Sequence, residues 1–334
     1  MKIKRILPEA GIAEGVVELT CEGLRPDDLS EVSVTFGGVE SRLVAVAPPR
    51  VLARVPKRAP SGPVVLAQGS ELSNGPHFEV GIPVARDLHA VANPAFDLEG
   101  NLWLTFSGDW GEKVEHSLFR LSPQGELEAI PCEIINPTSL TFDSAGALYI
   151  SSPHEERVYR KEPYGEIVPF VEGVGNPTGL AFDKSGYLYI GDRDGTISRV
   201  GPGGETEPFV SLELTVSAYH LAFDEADTLY ITGPTLSTYD PIYRVEPDGT
   251  KEVFYSGLGR PEGLAFDIEG NLYVAATLQG RRGLVQLDHQ AEPYLVAVAP
   301  TLVGLAFDGL GNAYLVDRDS VYKLSLGIVG RHLP

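Results

Sequence analysis

The sequence predicts an all-β chain: a small β-sandwich over residues 1–80, then a six-bladed β-propeller over residues 81–334. Three observations carry this. Between residues 95 and 308 one phrase recurs six times, a short apolar run ending in Phe-Asp, a glycine turn, and an aliphatic-aromatic-aliphatic run. Its anchoring aspartates, Asp97, Asp143, Asp183, Asp224, Asp267 and Asp308, stand 46, 40, 41, 43 and 41 residues apart. A period of this size built from short strands marks a radial propeller with one four-stranded blade per repeat. Ahead of the repeats the period is lost, and short alternating runs are separated by glycine and proline turns.

In the first eighty residues, segments near Ile6, Val16–Leu19, Val32–Phe36, Val51–Val55 and Pro63–Ala67 supply about six or seven strands, the pattern of a sandwich. Pro8-x-x-Gly11, a strand ending at Gly23, the Phe36-Gly37-Gly38 hairpin and the Val55-Pro56 to Gly62 turn resemble the TIG domain, an immunoglobulin-like fold. The resemblance implies that fold and almost nothing about function.

The fifth repeat illustrates a blade. Leu264–Phe266 is a short strand, Asp267 to Asn271 turns the chain, and Leu272-Tyr273-Val274 runs back. Alternation sends Leu272 and Val274 toward one neighbouring blade and Tyr273 toward the other. The Tyr273 position is Trp103, Tyr149, Tyr189, Tyr230 and Tyr314 in the other copies. The six Phe-Asp aspartates read as turn caps rather than metal ligands, on the face opposite the binding funnel. In the fourth repeat Asp227 replaces the turn glycine, and aspartate tolerates the left-handed region. Pro-x-Gly turns at Pro123, Pro163, Pro202 and Pro247 join the outer strands.

The sixth repeat has almost no chain left for an outer strand. Residues 82–88 stand at the offset of one, so they are expected to complete that blade, close the ring and remove two sheet edges. The sandwich is then expected to be tethered beside the closure, with the ring folding without residues 1–80. Pro177-Thr178-Gly179-Leu180-Ala181-Phe182-Asp183 and Pro261-Glu262-Gly263-Leu264-Ala265-Phe266-Asp267, with Leu188-Tyr189-Ile190-Gly191-Asp192, resemble NHL-type blades and the six-bladed senescence-marker-protein/gluconolactonase group.

Lys and Arg number 26 against 46 Asp and Glu, a net charge of −20. Residues 1–80 hold 9 basic and 10 acidic residues, leaving 17 against 36 in the propeller. That balance excludes a phosphate backbone as partner. Cys21 and Cys132 fall one in each domain and are expected to be unpaired thiols. Met1-Lys2-Ile3-Lys4-Arg5 runs into the first strand with no secretory or membrane-spanning segment, so the expectation is a soluble cytoplasmic protein, or an extracytoplasmic one if the N-terminus is trimmed.

The loops leading into the innermost strands, and those joining second strands to third, are expected to converge on one face. Three residues before each Ala/Thr-Phe-Asp triplet lies a ring: Ala92, Thr138, Thr178, Tyr219, Glu262 and Val303, with His220 beside Tyr219. Trp110, Asp192, Arg193, Asp317 and Arg318 stand around it on the second loops. Trp110, in the loop 107–116, reads as a ligand or partner contact, whereas Asp192 and Asp317 read mainly as caps of their own loops.

The gluconolactonase resemblance implies a divalent cation, Ca²⁺ or Mg²⁺, polarising an ester carbonyl. Glu262 stands where the family's Pro-Asp-Gly aspartate would be, which makes it the candidate metal ligand and, with His220, the candidate catalytic group. Thr178 replaces the family's asparagine, and its first-blade glutamate has no counterpart near Ala92. The leading expectation is therefore a binding scaffold without a cofactor, whose funnel face (Thr138, Thr178, Tyr219, Trp110, Asp192, Arg193, Asp317, Arg318) holds a small polar ligand, a carbohydrate or a protein partner. The alternative is a gluconolactonase-like hydrolase of a lactone or ester.

Overall fold

The computed structural model describes residues 1–88 and 93–331. The chain is all-β, and its helical content among the described residues is the 3₁₀ segment Pro26–Glu31. No described helix is long and apolar enough to cross a membrane.

Residues 1–80 form two sheets. One has the order Lys2–Leu7, Val16–Glu22, Arg50–Arg54, Leu43–Ala47; the other runs Ala10–Gly11, Glu71–Val80, Gly62–Gln68, Val32–Phe36, Val39–Glu40. Alternation points Ile3, Leu19 and Val51 of the first and Val34, Leu66 and Phe78 of the second into one core, where Phe36 meets Phe78 edge to face at 5.0 Å. Short turns allow nine strands where the runs alone indicated six or seven.

The second sheet does not stop at the domain boundary. Gly11 pairs in parallel with Val80 on one side and with Val298, in the outer strand Pro293–Val298 of the fifth repeat, on the other. A Cβ on Gly11 would lie 2.5 Å from Val298 Cγ2, so only glycine permits this approach. Ile12 N–H donates to Val298 O at 2.9 Å, and Ala10 and Ile12 are buried with Tyr273, Leu284 and Ala297. This corrects the expectation of a module tethered beside the closure: the sandwich is welded to the fifth repeat by a shared sheet.

From residue 82 onward the chain builds four-stranded antiparallel sheets in a propeller-type arrangement. The third repeat is representative, with Pro177–Phe182, Leu188–Asp192, Thr196–Val200 and Thr206–Ser211 in sequence order. The last sheet takes Gly304–Phe307, Asn312–Val316 and Ser320–Ser325 from the C-terminal end and its fourth strand, Ile82–Arg86, from the other end of the repeats. Ile82 pairs with Lys323 and Arg86 with Ser320, as the missing outer strand required.

Between sheets the alternation holds. Leu272 and Val274 pack with Tyr230 and Phe266 on one side, and Tyr273 packs with Leu305 and Phe307 on the other. Each repeat's Phe meets the preceding repeat's aromatic side chain edge-on, as in Tyr273–Phe307 at 4.9 Å and Tyr230–Phe266 at 5.0 Å. Phe96 against Tyr314 at 5.3 Å joins the first sheet to the last. Such pairs contribute roughly 0.5–1.5 kcal/mol each beyond their burial.

The aspartates cap their turns. Asp267 Oδ1 accepts from Glu269 N at 2.9 Å and Asn271 N at 2.8 Å, and all six repeats use this oxygen for the turn. Asp227 adopts φ 60° where Gly186 and Gly270 adopt 82° and 86°. The second oxygen has a further use: Asp267 Oδ2 accepts from Tyr273 O–H at 3.1 Å, and Asp97 Oδ2 from Trp103 Nε1–H at 2.8 Å. A buried aromatic residue here can therefore carry a polar tip, and the sequence uses Tyr or Trp rather than Phe.

Candidate functional site

The leading loops converge as expected, but their ring is largely consumed by bonds between neighbouring repeats. Thr178 Oγ1 donates to Gly191 O at 3.1 Å and accepts Tyr219 N–H at 3.0 Å, tying the third repeat to the fourth. Ser139 Oγ accepts Leu180 N–H at 3.2 Å, and Thr232 Oγ1 donates to Glu262 O at 2.6 Å. Thr138 Oγ1 donates to Asn136 O at 3.2 Å. Asn93 reaches across the ring, donating to Leu264 O at 3.3 Å and accepting from Leu305 N–H at 3.4 Å. Ala92 lies outside the described residues. Thr138, Thr178 and Tyr219 are all buried, and the Tyr219 hydroxyl donates to Glu213 O. Burial pushes that phenol's pKa up, so it stays protonated.

Glu262 differs from the free carboxylate that a metal ligand requires. Oε1 accepts from Arg260 Nε at 3.0 Å, Oε2 is held by Arg282, and the side chain is 6 % exposed. Arg282 is saturated as well: it donates to Leu302 O through Nε at 2.9 Å and to Arg260 O through Nη1 at 3.0 Å. This cluster staples the leading loops of the fifth and sixth repeats. Burial of one charge without its partner would be strongly unfavourable, which is why two guanidiniums gather on one carboxylate.

His220, on the strand His220–Phe223, is buried, and its pKa is held down to about 3 by burial and then by the nearby Arg282 charge. It is an uncharged core residue at any ordinary pH, poorly placed to exchange protons with a solvent-borne substrate. Asp192 Oδ1 accepts from Asn176 N and Asp194 N at 3.1 Å each, and Asp317 Oδ1 from Asp319 N at 2.9 Å and Ser320 N at 2.7 Å. Both are loop caps whose pKa values burial raises. Arg193 Nη2 donates to Val216 O at 3.3 Å, and Arg318 is exposed.

Trp110 has another setting. It is 63 % exposed, and its ring meets His154 of the second repeat edge to face at 5.3 Å. Asn136, buried and at φ 49°, holds the loop beneath it: Nδ2 donates to Ser107 O at 2.6 Å and Asp109 O at 2.8 Å, while Oδ1 accepts Gly111 N–H at 2.7 Å. Three bonds from one buried amide fix an exposed indole, an arrangement that core packing does not need. Sequence reasoning found Trp110 but not Asn136. Its only signal was an asparagine directly before the proline of the leading loop, shared with Asn176 of the next repeat.

Enclosed space lies elsewhere. A cavity of about 470 Å³ runs down the centre below Asn93, lined by the six Ala/Thr-Phe pairs and four of the aspartates that follow them, and reaching the exposed turns at Leu98–Gly100, Asp227 and Gly309. It opens on the face that carries the turn caps, opposite the ring of leading loops.

The donor set bears on the implied cation. Among the described residues no group of three or more His, Cys, Asp or Glu side chains is placed to hold a metal ion. The one acid of the ring is claimed by two arginines and the threonine hydroxyls by backbone groups, so these residues do not fit a Ca²⁺ or Mg²⁺ site.

No family profile and no curated protein sequence matches the chain. Solved structures do match its fold. A proposed gluconolactonase superposes with TM-score 0.63 at 16 % identity, over 76 % of this chain and 94 % of its own. An auxiliary nutrient binding protein from Bacteroides thetaiotaomicron gives 0.53 at 15 %, over 97 % of both chains. A catalytically inactive virginiamycin B lyase from Staphylococcus aureus, solved with quinupristin, gives 0.55 at 16 %, over 93 % and 99 %. At such identities the likeness establishes the β-propeller type of fold and leaves the activity open.

Proposed function

We propose that this chain is a non-catalytic binding protein, an immunoglobulin-like TIG-type sandwich welded to a six-bladed NHL-type propeller, which holds a small polar ligand or carbohydrate on the loops around Trp110. The observation that carries the reading is the exposed indole pinned by Asn136. An aromatic face held still in advance costs little ordering entropy on binding, and stacking against it suits the C–H face of a sugar. His154 and Asp109 are exposed on the same two loops and offer polar partners, while Glu155 is held by Ile135 N–H and the Ser152 hydroxyl. A protein partner would use the same anchor, since exposed tryptophans are enriched among binding hot spots.

The lactonase alternative lacks support at the residues that would perform it. Hydrolysis of that kind needs a Lewis acid or an accessible base, and Glu262 and His220 are both buried in structural roles. The match to a nutrient binding protein spans both parts of the chain, which agrees with a binding role for the whole architecture.

The test is a glycan and metabolite binding screen on the full chain, repeated with Trp110→Ala and Asn136→Ala. Removal of a stacked indole is expected to weaken binding by about tenfold or more, roughly 1–2 kcal/mol. Asn136→Ala should weaken it too while leaving Trp110 present. Turnover of a sugar lactone that Glu262→Gln abolishes, with no effect of Trp110→Ala, would replace this reading with the hydrolytic one.

A further inference from the structure

The central cavity is no part of the Trp110 site, although the phenylalanines and capping aspartates along it also serve the packing and turns described above. Its volume of about 470 Å³ falls inside the range of roughly 300–1,000 Å³ common to small-molecule sites. Six phenylalanines, one from each repeat, line it together with the neighbouring alanines. Leu98, which lines its mouth, is 77 % exposed, an apolar group at the rim.

Charge selects among apolar ligands. Six carboxylates line the space, four of the turn-cap aspartates with Glu99 and Asp227, against two cations, Lys184 and Arg331. Both cations are already engaged with Glu225, through its carbonyl at 2.6 Å and its carboxylate at 3.3 Å. Two of the caps, Asp97 and Asp308, have neutral donors, while Asp143 also meets Arg160 at 3.9 Å. Asp97 accepts from Glu99 N, Asn101 N, Asn101 Nδ2 and Trp103 Nε1, and Asp308 from Leu310 N, Asn312 N and Asn312 Nδ2. Neutral donors stabilise an anion without cancelling its field. A low-dielectric cleft lined by one sign of charge focuses that field.

We propose that the cavity on the turn-cap face is a second binding site, for a small cation with an apolar or aromatic body such as an aryl or alkyl ammonium. The phenylalanine-lined interior takes the body, and the carboxylates around the mouth attract the charge. Aromatic edges and faces add to the preference for a cation over a neutral isostere.

The experiment titrates the full chain, by calorimetry or ligand-observed NMR, with benzyltrimethylammonium, tetramethylammonium and benzoate. Benzyltrimethylammonium is expected to bind at least about tenfold more tightly than either, the first comparison reading the apolar body and the second the charge. Its affinity should fall several-fold between about 20 mM and about 500 mM salt. Two exposed rim residues locate the site with opposite signs: Glu99→Lys should weaken binding and Lys184→Glu should strengthen it. Trp110→Ala should leave it unchanged, which separates this site from the one on the opposite face. Equal or tighter binding of benzoate, indifference to both rim variants, or loss of binding in Trp110→Ala would each overturn the proposal.

Discussion

The repeated aspartate does two jobs with two oxygens, and each is testable by itself. In Asp267→Ala the backbone N–H groups of exposed Glu269 and buried Asn271, the Asn271 amide and the buried Tyr273 hydroxyl lose their acceptor. Unsatisfied buried groups cost roughly 1–3 kcal/mol each, so the variant is expected to lose several kcal/mol in urea unfolding. Tyr273→Phe removes only the Oδ2 bond and should cost about 1 kcal/mol. Equal losses in the two variants would show that the turn bonds contribute nothing. His220 makes a pH prediction. Its folded pKa, about 3, lies below the ordinary 6.5, so the unfolded chain binds the extra proton between those values. Stability is then full above about pH 6.5 and falls as pH drops, by up to roughly 1.4 kcal/mol per unit. Asp192 and Asp317, raised by burial, have the opposite sign: their contribution is present below the ordinary carboxylate range and is lost as pH rises through the folded values. Stability measured from about pH 7 to about pH 4 should decline less steeply in His220→Gln than in the parent. An unchanged slope would mean that His220 is accessible to protons in the fold.

At the scale of elements, the weld through Ala10–Gly11 alters what truncation should do. Removing residues 1–80 uncovers the edge of Pro293–Val298 and takes Ala10 and Ile12 out of the core that they share with Tyr273 and Leu284. The shortened ring is expected to unfold at lower denaturant than the parent and to associate through the freed edge. Gly11→Ala, which drives a Cβ into Val298, should reproduce part of the loss, about 1–3 kcal/mol by overpacking. If the truncated ring matches the parent in midpoint and stays monomeric, the weld has no energetic weight. The sequence led to a tether here because a two-residue strand made of Ala and Gly leaves no hydrophobic period to read. Only proximity in three dimensions identifies Val298 as its partner.

For the whole molecule, closure by Ile82–Arg86 decides whether the sheets form a stable ring. Ala85 is buried where the first and last repeats meet, in a cluster with Leu102, Tyr314 and Val321. Ala85→Arg places an unpaired charge there and should lower stability by several kcal/mol, whereas Arg86→Ala on the exposed edge of the same strand should be nearly silent. Similar melting temperatures for the two variants would place the ring's closure elsewhere. Much of this architecture was legible from residues: the Phe-Asp period, the aromatic position, the left-handed Asp227 and the strand borrowed across the ring all follow from local pattern and counting. The candidate site was legible only in part. The sequence locates Thr138, Thr178, Glu262 and His220 on the converging loops, since loop position follows from the repeat. Their availability does not, because a hydroxyl or carboxylate is free or spent according to neighbours that come from other repeats, such as Tyr219 N–H for Thr178 and Arg282 for Glu262. By itself, then, the sequence determined the repeat, the strand directions and which face each loop joins, all set by short-range periodicity and turn chemistry. The tertiary structure alone decided that Glu262 is paired with two arginines, that His220 is sealed from water, that the open cavity lies on the turn-cap face and that the sandwich shares a sheet with the fifth repeat. Each of these depends on contacts between residues distant in the chain, where packing and desolvation set the outcome.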